Sequence, residues 1–396
     1  MSDNVLPAGF SAAGIASGMK AGGEPDIAII LSERPAACAG MFTTNKVCGA
    51  PVTVTRRHVA DGTARAILAN AGNSNACTGV QGERDALSMC KILADEIGTG
   101  PSDILVASTG VIGRPLPMNL IEGGIRTAYG QVTRGGLEIA ARAIMTTDTV
   151  PKLSTRVVNL GPTSFTVTGM CKGSGMIAPN LATMLAFIVT DAEVSSAQLR
   201  EILAECVEKT FNRVTVDGDT STSDMVLAMA NGASDCGPIE PGTVKYQAFA
   251  GAIEEICSDL AEAIARDGEG ATKFVTVQVN GAPSDADAHR AAKTVAESPL
   301  VKTAIFGGDP NWGRIAMALG RSGVEFDQAK LSISVGNLLL FKGGMPTAFD
   351  QKEAERLFAE KTLDITADLG NGNGSAEMWT CDLSYDYVKI NAEYTT

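Results

Sequence analysis

Hydrophobic and polar positions along this 396-residue chain switch repeatedly between a period near two and a period near 3.6, which predicts mixed α and β structure throughout. Ala64 to Ala71 (ARAILANA) is apolar at most positions and reads as a buried strand. A helix follows from about Glu83, with Leu87, Cys90, Ala94 and Ile97 along one face. Ile104 to Ser108 (ILVAS) is again a strand, and helical stretches cover Pro117 to Tyr129 and Leu137 to Met145. Two strands, Thr155 to Leu160 and Ser164 to Gly169, lead into the glycine-rich CKGSGM. Thr183 to Val189 (TMLAFIV) then runs apolar without alternation, which predicts a strand covered on both faces. The next helix opens on a capping box, Ser195 with Gln198, and its core face is Leu199, Ile202, Leu203 and Cys206. Another begins near Asp350, with Glu353 in the same relation.

The strongest interruption is Cys236 to Thr243 (CGPIEPGT), where two prolines and two glycines stand between patterned segments. A structural boundary is expected there, near 236–243, separating residues 1–240 from a C-terminal domain over 241–396. No internal repeat or low-complexity tract is present, and the element order gives an α/β (α+β) enzyme-like chain with sheets covered by helices.

Composition narrows the function. Apolar residues make up 45% of the chain and charged ones 19%, enough to fill sizeable cores. With 32 basic against 45 acidic residues, a net charge of −13, the chain lacks the basic footprint of a nucleic-acid or anionic-membrane binder, so a small substrate is expected. The N-terminal MSDNVLPAGFSAAG has no basic flank and no apolar run approaches about 20 residues, which predicts a cytoplasmic protein without signal peptide or span. Nine cysteines without a CxxC pair read as reduced, small hydrophobes. Two histidines, His58 and His289, leave little material for a metal centre or a triad, and neither metal nor cofactor is expected.

Two familiar-looking motifs fail on context. Leu369 to Ser375 (LGNGNGS) has a dinucleotide-like glycine rhythm but runs into a strand instead of a helix, and reads as a hairpin turn. GMCKGSGM lacks the order of a phosphate-wrapping loop. The segment Lys172 to Val189, KGSGMIAPNLATMLAFIV, is more informative. A threonine between an irregular loop and a buried strand could attack the Ala182 carbonyl in an N-to-O acyl shift, and hydrolysis would free Thr183 as a new N-terminus. Its own α-amine, titrating near ~8, would then serve as base, and no histidine is needed. The plainer alternative is a β-branched residue opening a strand. Thr109 and Gly110, within STGVIG at the end of ILVAS, could offer a hydroxyl and an amide to an oxyanion. TTDT (146–149), DGDTSTSD (217–224) and DGEGATK (267–273) are small polar clusters suited to caps and turns, and GGDPNWGR (307–314) reads as a pocket rim or a surface turn.

Taken in order, STGVIG, TTDT, KGSGMIAPNLATML, DGDTSTSD, GGDPNWGR and the terminal NAEYTT resemble the ornithine acetyltransferase family of arginine biosynthesis, the glutamate N-acetyltransferases. The resemblance covers essentially the whole chain. It implies self-cleavage between Ala182 and Thr183 into chains 1–182 and 183–396. It also implies an acetyl-Thr183 intermediate in ping-pong transfer from N2-acetyl-L-ornithine to L-glutamate. Thr109 and Gly110 match the family's oxyanion hole. Thr146, Lys172, Thr183, Glu269, Asn391 and Thr396 match its substrate-binding positions. The implied fold is an α/β/β/α sandwich with a smaller C-terminal α+β domain, and the implied assembly is an α2β2 heterotetramer. Acetyl-CoA enters only as an optional co-substrate, for a second, N-acetylglutamate synthase activity. The competing expectations are an N-terminal-threonine amidohydrolase or aminopeptidase, and a catalytically silent amino-acid-binding homologue.

Overall fold

The computed structural model describes residues 4–178 and 184–393 and divides into two units. The first comprises the chain up to Asn212 together with Asp219–Ile264, and the second comprises Arg213–Gly218 with the chain from Ala265.

In the first unit the elements run β1 (Phe10–Ile15), β2 (Ile27–Phe42), α1 (Ala50–His58), β3 (Thr63–Asn73), α2 (Gly79–Ile97), β4 (Ile104–Val111), α3 (Met118–Tyr129) and α4 (Leu137–Ala143). They continue as β5 (Lys152–Leu160), β6 (Thr163–Lys172), β7 (Leu185–Thr190), α5 (Ser196–Lys209), β8 (Met225–Ala230) and α6 (Val244–Arg266), whose last two residues fall in the second unit. The strands form one hydrogen-bonded path, β4-β3-β2-β8-β7-β6-β5, with β1 against β2. β3 and β4 are parallel, as are β7 and β8, and the other pairs are antiparallel.

The path does not stay flat. β2 loses register with β3 between Leu31 and Ala36, around Pro35, which has no N–H for the ladder; its first part pairs with β1 and its second with β8. The two halves then share one core. Ala28, Ile30, Ile67, Ala69, Leu105 and Ala107 from one side pack in the same cluster as Met170, Leu185, Phe187, Val189, Met225 and Leu227 from the other. The alternate residues Ile29, Leu68, Ile104 and Val106 instead pack with α2 and α3. On the outer face of the other half, a side chain at Gly169 of β6 would collide with Ile256 and Leu260 of α6, and Phe165 meets Phe249 of the same helix edge-on. The result is helix, sheet, sheet, helix. This is the expected α/β/β/α arrangement, and it explains why β7 and β8 are buried at all six positions.

Most predicted elements are present, and three details differ. In α2 the buried face is Ala86, Met89, Cys90, Leu93 and Ala94, whereas Leu87 is 38% exposed. The helix starts at Gly79 and packs on both β4 and α3, so its apolar stripe is wider and turned one position from Leu87. The capping box forms at Ser195–Gln198, but Asp350 accepts from the Lys352 amide instead of pairing with Glu353. The units change at the end of α6, not in the Cys236–Thr243 loop. That loop is tied back by Ile239 N–H donating to the Glu193 carbonyl, and α6 beyond it packs on β6 of the same unit.

The second unit contains β9 (Phe274–Ala282), α7 (Asp285–Ala296), α8 (Pro299–Phe306), α9 (Trp312–Gly320), β10 (Ser332–Val335), β11 (Leu338–Lys342) and β12 (Met345–Pro346). It ends with α10 (Gln351–Phe358), β13 (Thr362–Asp368), β14 (Gly374–Cys381) and α11 (Tyr385–Glu393). Its sheet has the order β12-β11-β10-β13-β9-β14, with only β9 and β13 parallel among the described pairs. Ala288, Ala291, Ala292 and Val295 of α7 close its core.

LGNGNGS is therefore not a hairpin turn. β9 lies between β13 and β14, and the glycines carry the chain across its end. A Cβ at Gly372 would sit 2.3 Å from the Ala282 carbonyl oxygen, and one at Gly374 2.3 Å from the Ser284 carbonyl carbon. GGDPNWGR is the turn between α8 and α9. Asn311 caps α9, Trp312 stacks on Phe341 at 5.0 Å, and Arg314 donates to the Leu300 carbonyl. Among the described residues no helix is long and apolar enough to cross a membrane.

Candidate active site

The bend of the first sheet brings the C-terminal ends of β4 and β6 together with the starts of β7 and β8. β4 ends as Ser108-Thr109-Gly110-Val111 beside the end of β3, with Ala71 opposite Thr109 and Gly72 opposite Gly110. The Ser108 hydroxyl donates to Asn70 Oδ1, Asn70 Nδ2 donates to the Asn73 carbonyl, and the Ser74 amide and hydroxyl both donate to the Val111 carbonyl. These bonds fix the β4 tip after its ladder ends. Gly110 has φ +124°, and a Cβ there would lie 2.4 Å from the Gly72 carbonyl carbon, so the tip requires glycine on both counts.

Lys172 closes β6, and its ammonium donates to Thr109 Oγ1 at 3.4 Å within buried surroundings. With that lone pair engaged by the ammonium, the Thr109 hydroxyl keeps its own proton, which no described residue accepts. A hydroxyl in that state can donate to an incoming negatively charged oxygen.

Beneath this pair lies Asp148. Its Oδ1 accepts from Lys152 Nζ at 2.7 Å and from the Gly173 amide at 2.7 Å, and its Oδ2 accepts from the Thr146 amide at 3.0 Å. Both side chains of the Lys152–Asp148 ion pair are essentially inaccessible, at 1% and 0%. Burial opposes ionisation of Asp148. Lys172, Lys152 and the Gly173 amide outweigh it and bring the carboxyl down to about 2. One carboxylate therefore holds the backbone of Thr146, a sequence-predicted position, and of Gly173, the residue after another, Lys172.

A second carboxyl, Asp224, precedes β8. It is fully buried, its Oδ1 accepts from the Met184 amide at 3.1 Å, and its main-chain carbonyl accepts from Thr43 N–H. Burial pushes it well above the usual carboxylate range, against the opposing pull of the Met184 amide, Lys172 and Ser221. Ala182 and Thr183, the predicted cleavage pair and nucleophile, lie outside the described residues, as does Thr396.

In the second unit Glu269 is buried in the DGEG loop ahead of β9, and its Oε2 accepts from Asn391 Nδ2 at 2.7 Å. Asn391, on α11, also donates to the Tyr387 carbonyl. The loop fits tightly against the head of α11. Gly270 has φ +68°, a Cβ there would reach 2.5 Å from the Tyr387 nitrogen, and the Ser384 hydroxyl donates to the Gly270 carbonyl. Two residues expected to bind substrate, 122 positions apart in sequence, are thus hydrogen-bonded to each other.

The family model for the ArgJ family matches residues 11–396. The chain belongs to that family. An arginine biosynthesis bifunctional protein ArgJ from Symbiobacterium thermophilum is 50% identical over 392 residues, covering 98% of each chain. The protein of the same name from Thermosynechococcus vestitus is 47% identical over 409 residues, covering 98% of this chain and 96% of its own. Among solved structures, the crystal structure of arginine biosynthesis bifunctional protein ArgJ from Bacillus halodurans is 45% identical with a TM-score of 0.51. It covers 52% of this chain and 98% of that one.

Against this ArgJ-family background, the structure brings Thr109, Gly110 and Lys172 together, reaches Thr146 through Asp148, and pairs Glu269 with Asn391. Sequence reasoning passed over Asp148 and Asp224 as members of small polar clusters. For Asp148 a signal existed: Lys172 ends the strand segment FTVTGMCK, and a buried ammonium needs a carboxylate. For Asp224 there was none, because only strand pairing sets it beside Met184.

Proposed function

We propose that the chain is a self-processing acetyltransferase of arginine biosynthesis that moves the acetyl group of N2-acetyl-L-ornithine to L-glutamate. The precursor cuts itself between Ala182 and Thr183, and the freed Thr183 carries the acetyl group as an ester between two half-reactions. The observation that carries this reading is the Lys172–Thr109–Gly110 arrangement at one end of the sandwich, in a chain of the ArgJ family. The Bacillus halodurans chain, which aligns almost whole with 52% of this one, supports a mature protein made of shorter chains.

In this mechanism the Thr183 amine takes the proton of its own hydroxyl, which attacks the acetyl carbonyl. The Thr109 hydroxyl and the Gly110 main-chain N–H donate to the resulting oxyanion in both half-reactions, where such donors are each worth about 10²–10³ in rate. Lys172 and Thr146 suit the substrate carboxylate, and Glu269, with Asn391 as its partner, suits the ornithine ammonium. Thr396 completes the substrate-binding set. The relatives' name, bifunctional, supports a second use of the site with acetyl-CoA as acetyl donor. An α2β2 assembly of the two cleaved chains follows from the same reading.

Intact-mass spectrometry of purified protein, coupled to an assay with labelled N2-acetylornithine, tests this. Wild type should give two chains and glutamate-dependent transfer, and Thr183→Ala a single inactive chain. An uncut wild type with no transfer would sink the proposal, and release of free acetate without transfer would favour the amidohydrolase.

A further inference from the structure

The segment joining β1 to β2, residues 16–26, is drawn onto the end of β3 by one buried carboxylate. Asp26 Oδ1 accepts from the Ser17 amide at 2.7 Å, and Oδ2 accepts from the Met19 and Lys20 amides at 2.8 and 3.2 Å. The Asp26 main-chain carbonyl accepts from the Ala71 N–H at 2.9 Å, and Ala71 is the residue opposite Thr109. Lys20 is thereby held beside the tip that carries the oxyanion donors. Its aliphatic stem lies over Gly72, where a Cβ would meet Lys20 Cγ at 3.6 Å, and Gly72 is paired with Gly110. The half-buried side chain ends in an ammonium that donates to the Pro25 carbonyl at 2.7 Å and forms no ion pair with any described residue.

Three carboxyls act on that ammonium from nearby, and each has other work. Asp26 serves three main-chain amides, Glu24 is exposed, and Asp148 is paired with Lys152. Burial pulls Lys20 below the usual lysine range against the opposing effect of these carboxyls, and Lys172 adds to the downward pull. Two ammoniums thus flank the Thr109–Gly110 tip: Lys172 on the Thr109 hydroxyl, and Lys20 over the residue opposite Gly110. The two half-reactions differ in one charge. N2-acetylornithine and ornithine carry an α-carboxylate and a side-chain ammonium, whereas glutamate has a carboxylate in place of that ammonium. A site that serves both needs a cation that only glutamate engages. Lys152 is committed to Asp148, and Lys172 suits the carboxylate that both substrates share. We infer that Lys20 receives the side-chain carboxylate of the glutamate acceptor and so selects an acidic amino acid in the second half-reaction. Lys20 makes and breaks no covalent bond; it holds the acceptor so that the α-amine meets the acetyl ester.

This inference rests on the reading of the chain as an ornithine-to-glutamate acetyltransferase. The test compares wild type with Lys20→Gln and Lys20→Arg, checked by circular dichroism, using three acceptors: glutamate, glutamine, and labelled ornithine exchanging with N2-acetylornithine. The last two draw on the same acetyl-enzyme but lack the second carboxylate. Expected for Lys20→Gln is a loss of at least tenfold in kcat/KM for glutamate, carried by KM, with changes of at most threefold for glutamine and for exchange. Lys20→Arg should recover part of the loss. An equal loss with all three acceptors, as a merely structural role would give, overturns the assignment, and so does unaltered glutamate kinetics. If the variants do not fold, wild type alone decides: kcat/KM for glutamate should exceed that for glutamine at least tenfold, and equal values overturn the assignment. A wild type with neither exchange nor transfer would instead refute the functional reading.

Discussion

Lys172 and Thr109 touch although their strands are separated in the sheet by β3, β2, β8 and β7. In a flat sheet five spacings of about 4.8 Å would hold them ~24 Å apart. The contact exists because the path folds over at β2 and its two halves share a core.

That contact makes a kinetic prediction for Thr109→Val, which keeps the shape of the side chain and removes the donor. kcat should fall about 10²- to 10³-fold with little change in KM for N2-acetylornithine, as for an interaction made only to the oxyanion. Steady-state kinetics check this, and a raised KM with unchanged kcat would assign Thr109 to ground-state binding.

Asp148 makes a prediction about acid stability. Its carboxyl is depressed in the folded protein, from an ordinary 3.8 to about 2, so its contribution is complete above about pH 4 and is lost as pH falls from there toward 2. The size is about 2 kcal/mol. Asp148→Asn should lose about 3 kcal/mol at neutral pH by removing the carboxylate from its buried ion pair with Lys152, and its urea midpoint should fall less steeply than that of wild type between pH 4 and 2. Parallel curves for the two proteins would contradict the role given to this carboxylate.

The crossing of β9 by the glycine-rich segment can be tested by adding one methyl group. Gly374→Ala places a carbon against the Ser284 backbone and should destabilise by about 1–3 kcal/mol. Gly123→Ala, in α3 with open space around it, should be neutral or stabilising by up to about 1 kcal/mol. Thermal unfolding of the pair provides the measurement, and equal Tm values would mean that the crossing is looser than the contacts indicate.

Local pattern was enough wherever one segment carries its own instructions. The unalternating run before Val189 foretold a strand covered on both sides, and Ser195 with Gln198 foretold the start of α5, because burial and capping are written in adjacent residues. The motif order likewise pointed to the family and to Thr109, Gly110, Lys172, Glu269 and Asn391. Local pattern failed where a partner comes from elsewhere in the chain. LGNGNGS looks like a hairpin until β9 is inserted between β13 and β14, and Leu87 looks like core until α3 is packed on α2. The sequence alone thus determined most of the strands and helices and named the candidate side chains for the chemistry. Only the tertiary structure decided that β2 bends at Pro35, that Lys172 thereby reaches Thr109, and that Asp148 and Asp224 stand under the lysine and beside Met184. Those are long-range pairings, made by burial and strand register between residues that no local periodicity connects.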